Sequence, residues 1–99
     1  TMPSIKEQVY EFYEIADELR KGSKLLEEKA AEHEKKREQY FKYYNSKNLT
    51  VEEEIAAYEL RIEANKELKE LHAFRNELLS KRKRAEELTQ SLKAADFWQ

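Results

Sequence analysis

The sequence predicts an all-α fold: a long antiparallel helical hairpin, coiled-coil-like, that dimerises into a four-helix bundle. Glycine and proline each occur once, so the chain lacks the residues that build the turns of a β-sandwich or the glycine-rich loops of a nucleotide-binding domain. Charged residues make up 40% of the chain and apolar residues 39%, a composition typical of long helices. Apolar residues also recur in alternating steps of four and three, which is the spacing of a helix packed against another helix.

Length and composition bound the class of protein. The chain of 99 residues is expected to form a single domain, residues 1–99, with little apolar material for a thick core. No stretch is apolar enough for a membrane span or a signal peptide, so a cytoplasmic protein is expected. The absence of cysteine excludes disulfides, thiol nucleophiles and cysteine-based zinc sites, and a formal net charge of -2 predicts no general affinity for nucleic acid.

The first helix is predicted from about residue 4 to residue 45. Ser4 lies three residues before Glu7, which is the spacing of an N-cap and a capping box. The apolar pattern keeps its phase on both sides of Gly22, which favours one continuous helix; a break at Gly22 that gives a three-helix bundle is the structural alternative. The predicted packing stripe comprises Ile5, Val9, Phe12, Ala16, Leu19, Leu26, Ala30, Tyr40 and Tyr44, with Ser23, His33 and Arg37 as its polar members.

A short polar turn at residues 46–49 is predicted to join the first helix to a second helix over about residues 50–95. Asn45, Ser46 and Asn48 have side chains that satisfy local backbone groups and end helices. Thr50 and Glu53 have the spacing of a second capping box. Because a short connection between two helices of similar length brings them side by side, the pair is expected to form an antiparallel hairpin.

Folding the chain about this turn is expected to place residue i opposite about residue 95 minus i. The register brings acidic residues of the first helix near basic residues of the second, and it reverses the two signs of charge near the turn. The first set pairs Glu7, Glu11, Glu14, Asp17 and Glu18 with Arg75, Lys81, Arg82, Lys83 and Arg84. The second set pairs Lys35, Lys36, Arg37 and Lys42 with Glu52, Glu53, Glu54, Glu59 and Glu63.

The second helix carries two apolar stripes. The stripe nearest the turn is predicted to pack against Tyr44, Tyr40, Arg37 and His33 of the first helix, and it consists of Val51, Ile55, Tyr58 and Ile62. The other stripe lies further around the helix, and one partner helix does not cover both. The second stripe is therefore predicted to bind a second copy of the chain, or else a different protein, or to stay exposed as tolerated apolar surface; it begins with Ala57, Leu60, Ala64 and Leu68.

Aromatic residues cluster beside the turn and at the carboxyl end. Tyr40 and Tyr44 are predicted to pack in the seam between the helices, whereas Phe41 and Tyr43 point elsewhere and are candidates for partner contact. The aromatic pair at the carboxyl end either caps the open end of the hairpin or forms an anchor in a frayed tail. The candidate protein-interaction residues are Phe41, Tyr43, Ala57, Leu60, Ala64, Leu68, Phe97 and Trp98.

The two histidines, His33 and His72, give no signal for chemistry. Neither belongs to the Glu-x-x-His pattern of di-iron bundles or to the paired histidines of zinc proteases. His72 falls opposite Ser23 in the predicted register, and this pair is expected to hydrogen-bond in the seam, because long helices offer no oxyanion-stabilising loop for a nucleophile. No catalytic residue, cofactor or metal site is predicted, and the chain is expected not to be an enzyme.

A basic run near the end of the second helix is the remaining candidate, since such runs contact phosphates. The run faces acidic residues in the predicted register and no aromatic residue interleaves it, which disfavours nucleic-acid binding. The sequence therefore predicts a non-enzymatic protein–protein interaction module, as a scaffold, an assembly subunit or a small inhibitor, with itself and another protein as partners and no membrane contact. The alternative is a nucleic-acid-associated helical protein that uses Lys81, Arg82, Lys83 and Arg84.

Overall fold

The computed structural model describes residues 3–98, which form two α-helices joined by a short turn and contain no β-strand. Helix α1 spans Ile5–Tyr44 and helix α2 spans Val51–Ala94, and the two pack as an antiparallel hairpin. The predicted helix bounds are correct to within about one residue, and the prediction of an unbroken first helix is confirmed. Neither helix has an apolar segment long enough to cross a membrane.

The contacts between the helices divide the hairpin into two compact units. The end unit contains the chain up to Leu25 and from Arg75 onward, and the turn unit contains Leu26–Phe74. Each unit therefore holds part of α1 against part of α2. The buried side chains are Ile15, Leu78, Leu88 and Leu92 in the end unit, and His33, Ala57 and Ala64 in the turn unit.

Side-chain caps begin both helices, as the sequence predicts. The Ser4 hydroxyl accepts a hydrogen bond from the Glu7 backbone N–H at 3.1 Å, which is one half of a capping box. At the start of α2 both halves are present: the Glu53 N–H donates to the Thr50 hydroxyl, and the Thr50 N–H donates to the Glu53 carboxylate, each at 3.1 Å. These bonds satisfy backbone donors that the first turn of a helix leaves free.

The turn between the helices is closed by local hydrogen bonds. The Asn45 N–H donates to the Phe41 carbonyl at 2.9 Å, and the Ser46 hydroxyl donates to the Lys42 carbonyl at 2.7 Å. Asn48 adopts a φ of 65°, in the left-handed region that asparagine tolerates better than most residues. The polar residues that the sequence assigns to the turn thus end α1 and reverse the chain.

Helix α2 ends in a Schellman motif. Asp96 has a φ of 57°, its N–H donates to the Lys93 carbonyl, and the Phe97 N–H reaches back to the Leu92 carbonyl at 3.0 Å. The Trp98 N–H donates to the same Leu92 carbonyl at 3.2 Å. The chain after the helix is thus held against its last turn; Gln99, the final residue of the predicted tail, lies outside the described residues.

Gly22 does not break α1. The glycine lies in the seam of the end unit, where a methyl group in place of its hydrogen would overlap the side chain of Leu78. The three-helix alternative is therefore wrong, and the glycine is explained by close packing rather than by a turn.

The seam of α1 differs from the predicted stripe by one residue at alternate positions. Predicted members such as Leu19 and Leu26 are half-buried and His33 is buried, as expected. At the positions between them, a neighbouring residue takes the place of the predicted one. The seam contains Ile15, Gly22, Lys36 and Tyr43, whereas the predicted Ala16, Ser23, Arg37 and Tyr44 are exposed.

The second stripe of α2, rather than the stripe nearest the turn, packs against α1. Ala57 and Ala64 are buried in the turn unit, and the same stripe supplies Leu88 and Leu92 to the end unit. This stripe keeps its rhythm along the whole of α2, so burying it removes more apolar surface from water than burying the short one. The prediction that the short stripe faces α1 is wrong, because its members are more than half exposed: Val51, Ile55, Tyr58 and Ile62.

The interhelical contacts follow the predicted register with a shift toward later residues of α2. Glu11 meets Arg84 as predicted. Lys81 contacts Glu18 in the end unit, and in the turn unit Glu63 contacts Lys36, in both cases one helical turn further along α2 than predicted. Side chains lean toward the N-terminus of their own helix, which in an antiparallel pair moves the contacts of Glu18 and Lys36 toward later residues of α2.

Candidate functional site

The turn unit carries an exposed apolar surface on the side of α2 that faces away from α1. We call this surface the outer stripe; it consists of Val51, Ile55, Tyr58 and Ile62, which are 52% to 68% exposed. Steps of four, three and four residues place the four side chains along one side of the helix. Single exposed apolar residues are ordinary on protein surfaces, but a contiguous row of large ones marks an interaction site.

The folding of the hairpin does not account for the outer stripe. Val51, Ile55 and Ile62 are β-branched, and β-branched residues form helices slightly less well than the charged residues that dominate the rest of the chain. The surface of the helix on which they lie is turned away from the buried Ala57 and Ala64. These side chains therefore cost helix propensity without adding to the seam.

Aromatic side chains of α1 widen the apolar surface beside the outer stripe. Tyr44 is 71% exposed and lines a shallow groove of about 210 Å³ together with Tyr58 and Glu54. The rings of Tyr40 and Tyr44 have centroids 6.2 Å apart. The prediction that Tyr44 closes the seam is therefore wrong, whereas Tyr40 is half-buried as a seam residue should be.

Phe41 also lies on this side of the turn unit. Its ring is nearly half exposed and the guanidinium carbon of Arg37 lies 5.7 Å from its centroid, in cation–π contact. Phe41, Arg37 and Arg61 line an open groove of about 290 Å³. Tyr43 lies in the seam instead, where it shares a groove with the half-buried Leu60.

Charged residues flank the outer stripe on α2. Glu54 and Arg61 lie on one flank, and Glu52, Glu59 and Lys66 lie on the other. Within residues 3–98 no ion pair joins any of these five residues to an opposite charge. These five charges are thus without an opposite charge within the described residues; in paired helices, flanking charges set orientation and specificity.

Of the residues predicted to bind a second copy, three lie in the hairpin seam and one is exposed. Ala57 and Ala64 are buried inside the turn unit and Leu60 is half-buried, so they belong to the hairpin seam. Leu68 is 41% exposed at its edge. The exposed apolar row on α2 is therefore the outer stripe and not the predicted one. One feature of the sequence distinguishes the two stripes: the seam stripe continues to Leu92, whereas the outer stripe stops at Ile62.

The aromatic pair at the carboxyl end has two different environments in the end unit. Trp98 is half-buried and its ring meets Phe12 edge-on, with centroids 4.5 Å apart. Phe97 is more than half exposed and forms an open groove of about 340 Å³ with Ile5 and Tyr10. Of the two predicted arrangements, Trp98 adopts the capping one, and Phe97 remains on the surface.

The basic run is partly neutralised within the end unit. Arg84 binds the Glu11 carboxylate through two hydrogen bonds of 2.9 Å, and Lys81 Nζ lies 2.9 Å from Glu18. The hydrogen bonds from Arg84 lower the pKa of Glu11 below its ordinary value, and the same bonds raise the pKa of Arg84. Arg82 pairs with Glu86 on its own helix, and Lys83 is exposed.

One buried histidine lies in the seam of the turn unit. His33 Nδ1 is 4.0 Å from the Glu67 carboxylate, beyond hydrogen-bond reach, and it has no other partner within the described residues. Lys36 lies 3.0 Å from the same carboxylate, and this contact raises the pKa of Lys36. His72 and Ser23 are both exposed, so the polar pair predicted in the seam is wrong. Among residues 3–98 no group of three or more metal-ligating side chains comes together.

Comparisons of the chain with protein-family models, with curated proteins and with solved structures found no match.

Proposed function

We propose that the chain is a non-enzymatic protein–protein interaction module, a helical hairpin that associates with a second copy of itself through the outer stripe. The observation that carries this proposal is the contiguous row of large apolar side chains, each more than half exposed, on the side of α2 turned away from α1. Helix-in-groove and coiled-coil recognition both use a row of this kind, in which every third or fourth residue makes a contact.

A second copy accounts for the surface better than a chemically different partner does. An identical stripe supplies apolar residues at matching spacing, and burying both stripes at once removes the whole exposed row from water. Two hairpins joined through α2 bring four helices together in one assembly. Phe97 lies in the end unit, outside the outer stripe, so a dimer keeps it free for another protein, as a scaffold or an assembly subunit requires.

Sedimentation equilibrium over the micromolar range tests the proposal. The wild-type chain is expected to sediment as a dimer, and the Ile55→Glu/Ile62→Glu variant as a monomer, because burial of two carboxylates in an apolar interface is unfavourable. Leu79→Glu is the matched control: Leu79 is an exposed leucine of α2 in the end unit, and its substitution should leave the dimer intact. Circular dichroism reports whether each variant keeps its helices. A wild-type chain that is monomeric throughout would refute self-association.

Nucleic-acid association through Lys81–Arg84 is the alternative from a different class. Arg82 and Lys83 are exposed, which favours it, but Glu11 and Glu18 hold the other two cations of the run. A titration with duplex DNA at low and moderate salt separates the two functions, since phosphate contacts weaken steeply as salt rises. Tight binding that falls with salt and is lost in Lys83→Gln would favour the alternative.

A further inference from the structure

The spacing of the apolar residues in the outer stripe is the same in both directions along α2. Its four apolar residues are separated by four, three and four positions, so the spacing is symmetric about a point between Ile55 and Tyr58. When two such helices lie antiparallel about a two-fold axis at that point, every apolar residue meets an apolar residue. Val51 then lies opposite the partner's Ile62, and Ile55 lies opposite the partner's Tyr58.

We infer that the second copy binds with its α2 antiparallel to that of the first, about a two-fold axis between Ile55 and Tyr58. The inference rests on the proposed function, because it specifies the partner and the orientation of the same surface. The interface is isologous: the contact that one copy makes is repeated by the other. Helix α1 of each copy leaves this approach open, since Ala57 and Ala64, the residues buried against it, lie on the other side of α2.

The charged flanks distinguish the antiparallel orientation from the parallel one. In the antiparallel pair Glu54 faces the partner's Arg61 on one flank, and the two-fold axis repeats this opposite-charge pair. On the other flank the same axis places Glu52 nearer to the partner's Glu59 than to the partner's Lys66, so only the first flank contributes an opposite-charge pair. In a parallel pair in register, Glu54 would face the partner's Glu59, and Arg61 would face the partner's Lys66. Flanking charges of like sign select against an orientation, so the antiparallel dimer is favoured.

A charge-exchange experiment tests the pairing of Glu54 with Arg61. The variants Glu54→Arg and Arg61→Glu should each weaken the dimer by about tenfold or more, because each places like charges at two symmetric positions. A mixture of the two single variants should form a heterodimer near wild-type strength, and the double variant should form a homodimer again. Circular dichroism on each variant shows that the helices persist. Two single variants that dimerise as well as the wild type, or a mixture that is not rescued, would overturn the inferred contact.

Cross-linking tests the orientation directly, since the chain contains no cysteine of its own. The variants Val51→Cys and Ile62→Cys are mixed under mild oxidation, and the expected product is a disulfide between the two different chains. A parallel dimer would instead link two copies of Val51→Cys. A wild-type dimer in which only the like-with-like disulfide forms overturns the antiparallel inference while the proposed self-association stands. A wild-type chain that is monomeric in sedimentation overturns both.

Discussion

Gly22 shows how the absence of a side chain at one position allows close packing between the helices. A glycine inside a long helix costs about 1 kcal/mol relative to alanine, because the unfolded chain loses more freedom and no side chain packs. In the end unit the side chain of Leu78 occupies the space that a Cβ atom at Gly22 would fill. The packing of Leu78 against the backbone of α1 therefore depends on this glycine, and the helix propensity that is lost is offset by the closer contact.

Substitution of Gly22 tests this contact and the phase of the seam together. Gly22→Leu should destabilise the chain by about 1–3 kcal/mol, because overpacking outweighs the better helix propensity of leucine. Ser23→Leu, one residue further and exposed, should change the free energy of unfolding by less than about 0.5 kcal/mol. Urea unfolding followed by circular dichroism at fixed protein concentration measures both. If Ser23→Leu lowered the free energy of unfolding more than Gly22→Leu, the seam would contain Ser23 in place of Gly22.

At the scale of the helices, local chemistry and long-range packing were predictable to different degrees. The starts and ends of α1 and α2 follow from residues close in sequence, such as Thr50 with Glu53, because a cap satisfies backbone groups within a single turn. The seam was harder to predict, since it contains the polar residues Lys36 and Lys81, whose charges meet carboxylates of the facing helix. A search for apolar periodicity passes over such positions and selects the neighbouring exposed residues.

The candidate site was missed for a related reason. The outer stripe has the same spacing and the same residue types as a seam, so the sequence alone does not tell which stripe α1 covers. Only the packing of the whole hairpin decides this, through the larger area of the stripe that ends at Leu92. The sequence did reveal that α2 carries two apolar surfaces and that one hairpin partner covers a single one. The existence of a free surface was therefore predictable, whereas its identity was not.

The contact of α1 with α2 at Glu11 and Arg84 should depend on pH. Two hydrogen bonds from Arg84 lower the pKa of Glu11, so the unfolded chain takes up a proton at a higher pH than the folded chain does. The pair therefore adds stability above the ordinary pKa range of glutamate and loses it as the pH falls through the lowered value. The Arg84→Met variant should have a lower thermal midpoint than the wild type at neutral pH, and this difference should vanish in acid.

Thermal unfolding of the wild type and Arg84→Met from neutral pH to about pH 2 measures the effect. Arg82→Met is the matched control, because Arg82 belongs to the same basic run but pairs with Glu86 on its own helix. Its thermal midpoint should stay close to that of the wild type at neutral pH. A difference between Arg84→Met and the wild type that is the same in acid as at neutral pH would show that packing, rather than the ion pair, stabilises this contact.

For the whole molecule, the number of buried apolar side chains is too small for a very stable isolated hairpin. Among residues 3–98 the buried hydrophobic residues are two alanines, both in the turn unit, and four larger side chains, all in the end unit. A hairpin with so few fully buried apolar side chains gains little from hydrophobic burial, and oligomerisation is one way in which such chains are stabilised. Association through the outer stripe adds apolar burial without a larger chain, so folding and dimerisation should be coupled.

Coupling of this kind makes the thermal midpoint depend on protein concentration. A tenfold rise in concentration stabilises a dimer by about 1.4 kcal/mol, so the wild-type midpoint should rise by a few degrees for each tenfold step. The midpoint of Ile55→Glu/Ile62→Glu should be lower and should not change with concentration, because the variant unfolds as a monomer. Leu79→Glu should retain the wild-type dependence. Calorimetry over a hundredfold range of concentration separates these cases, and a wild-type midpoint that stays constant across the range would show that the hairpin is stable without a partner.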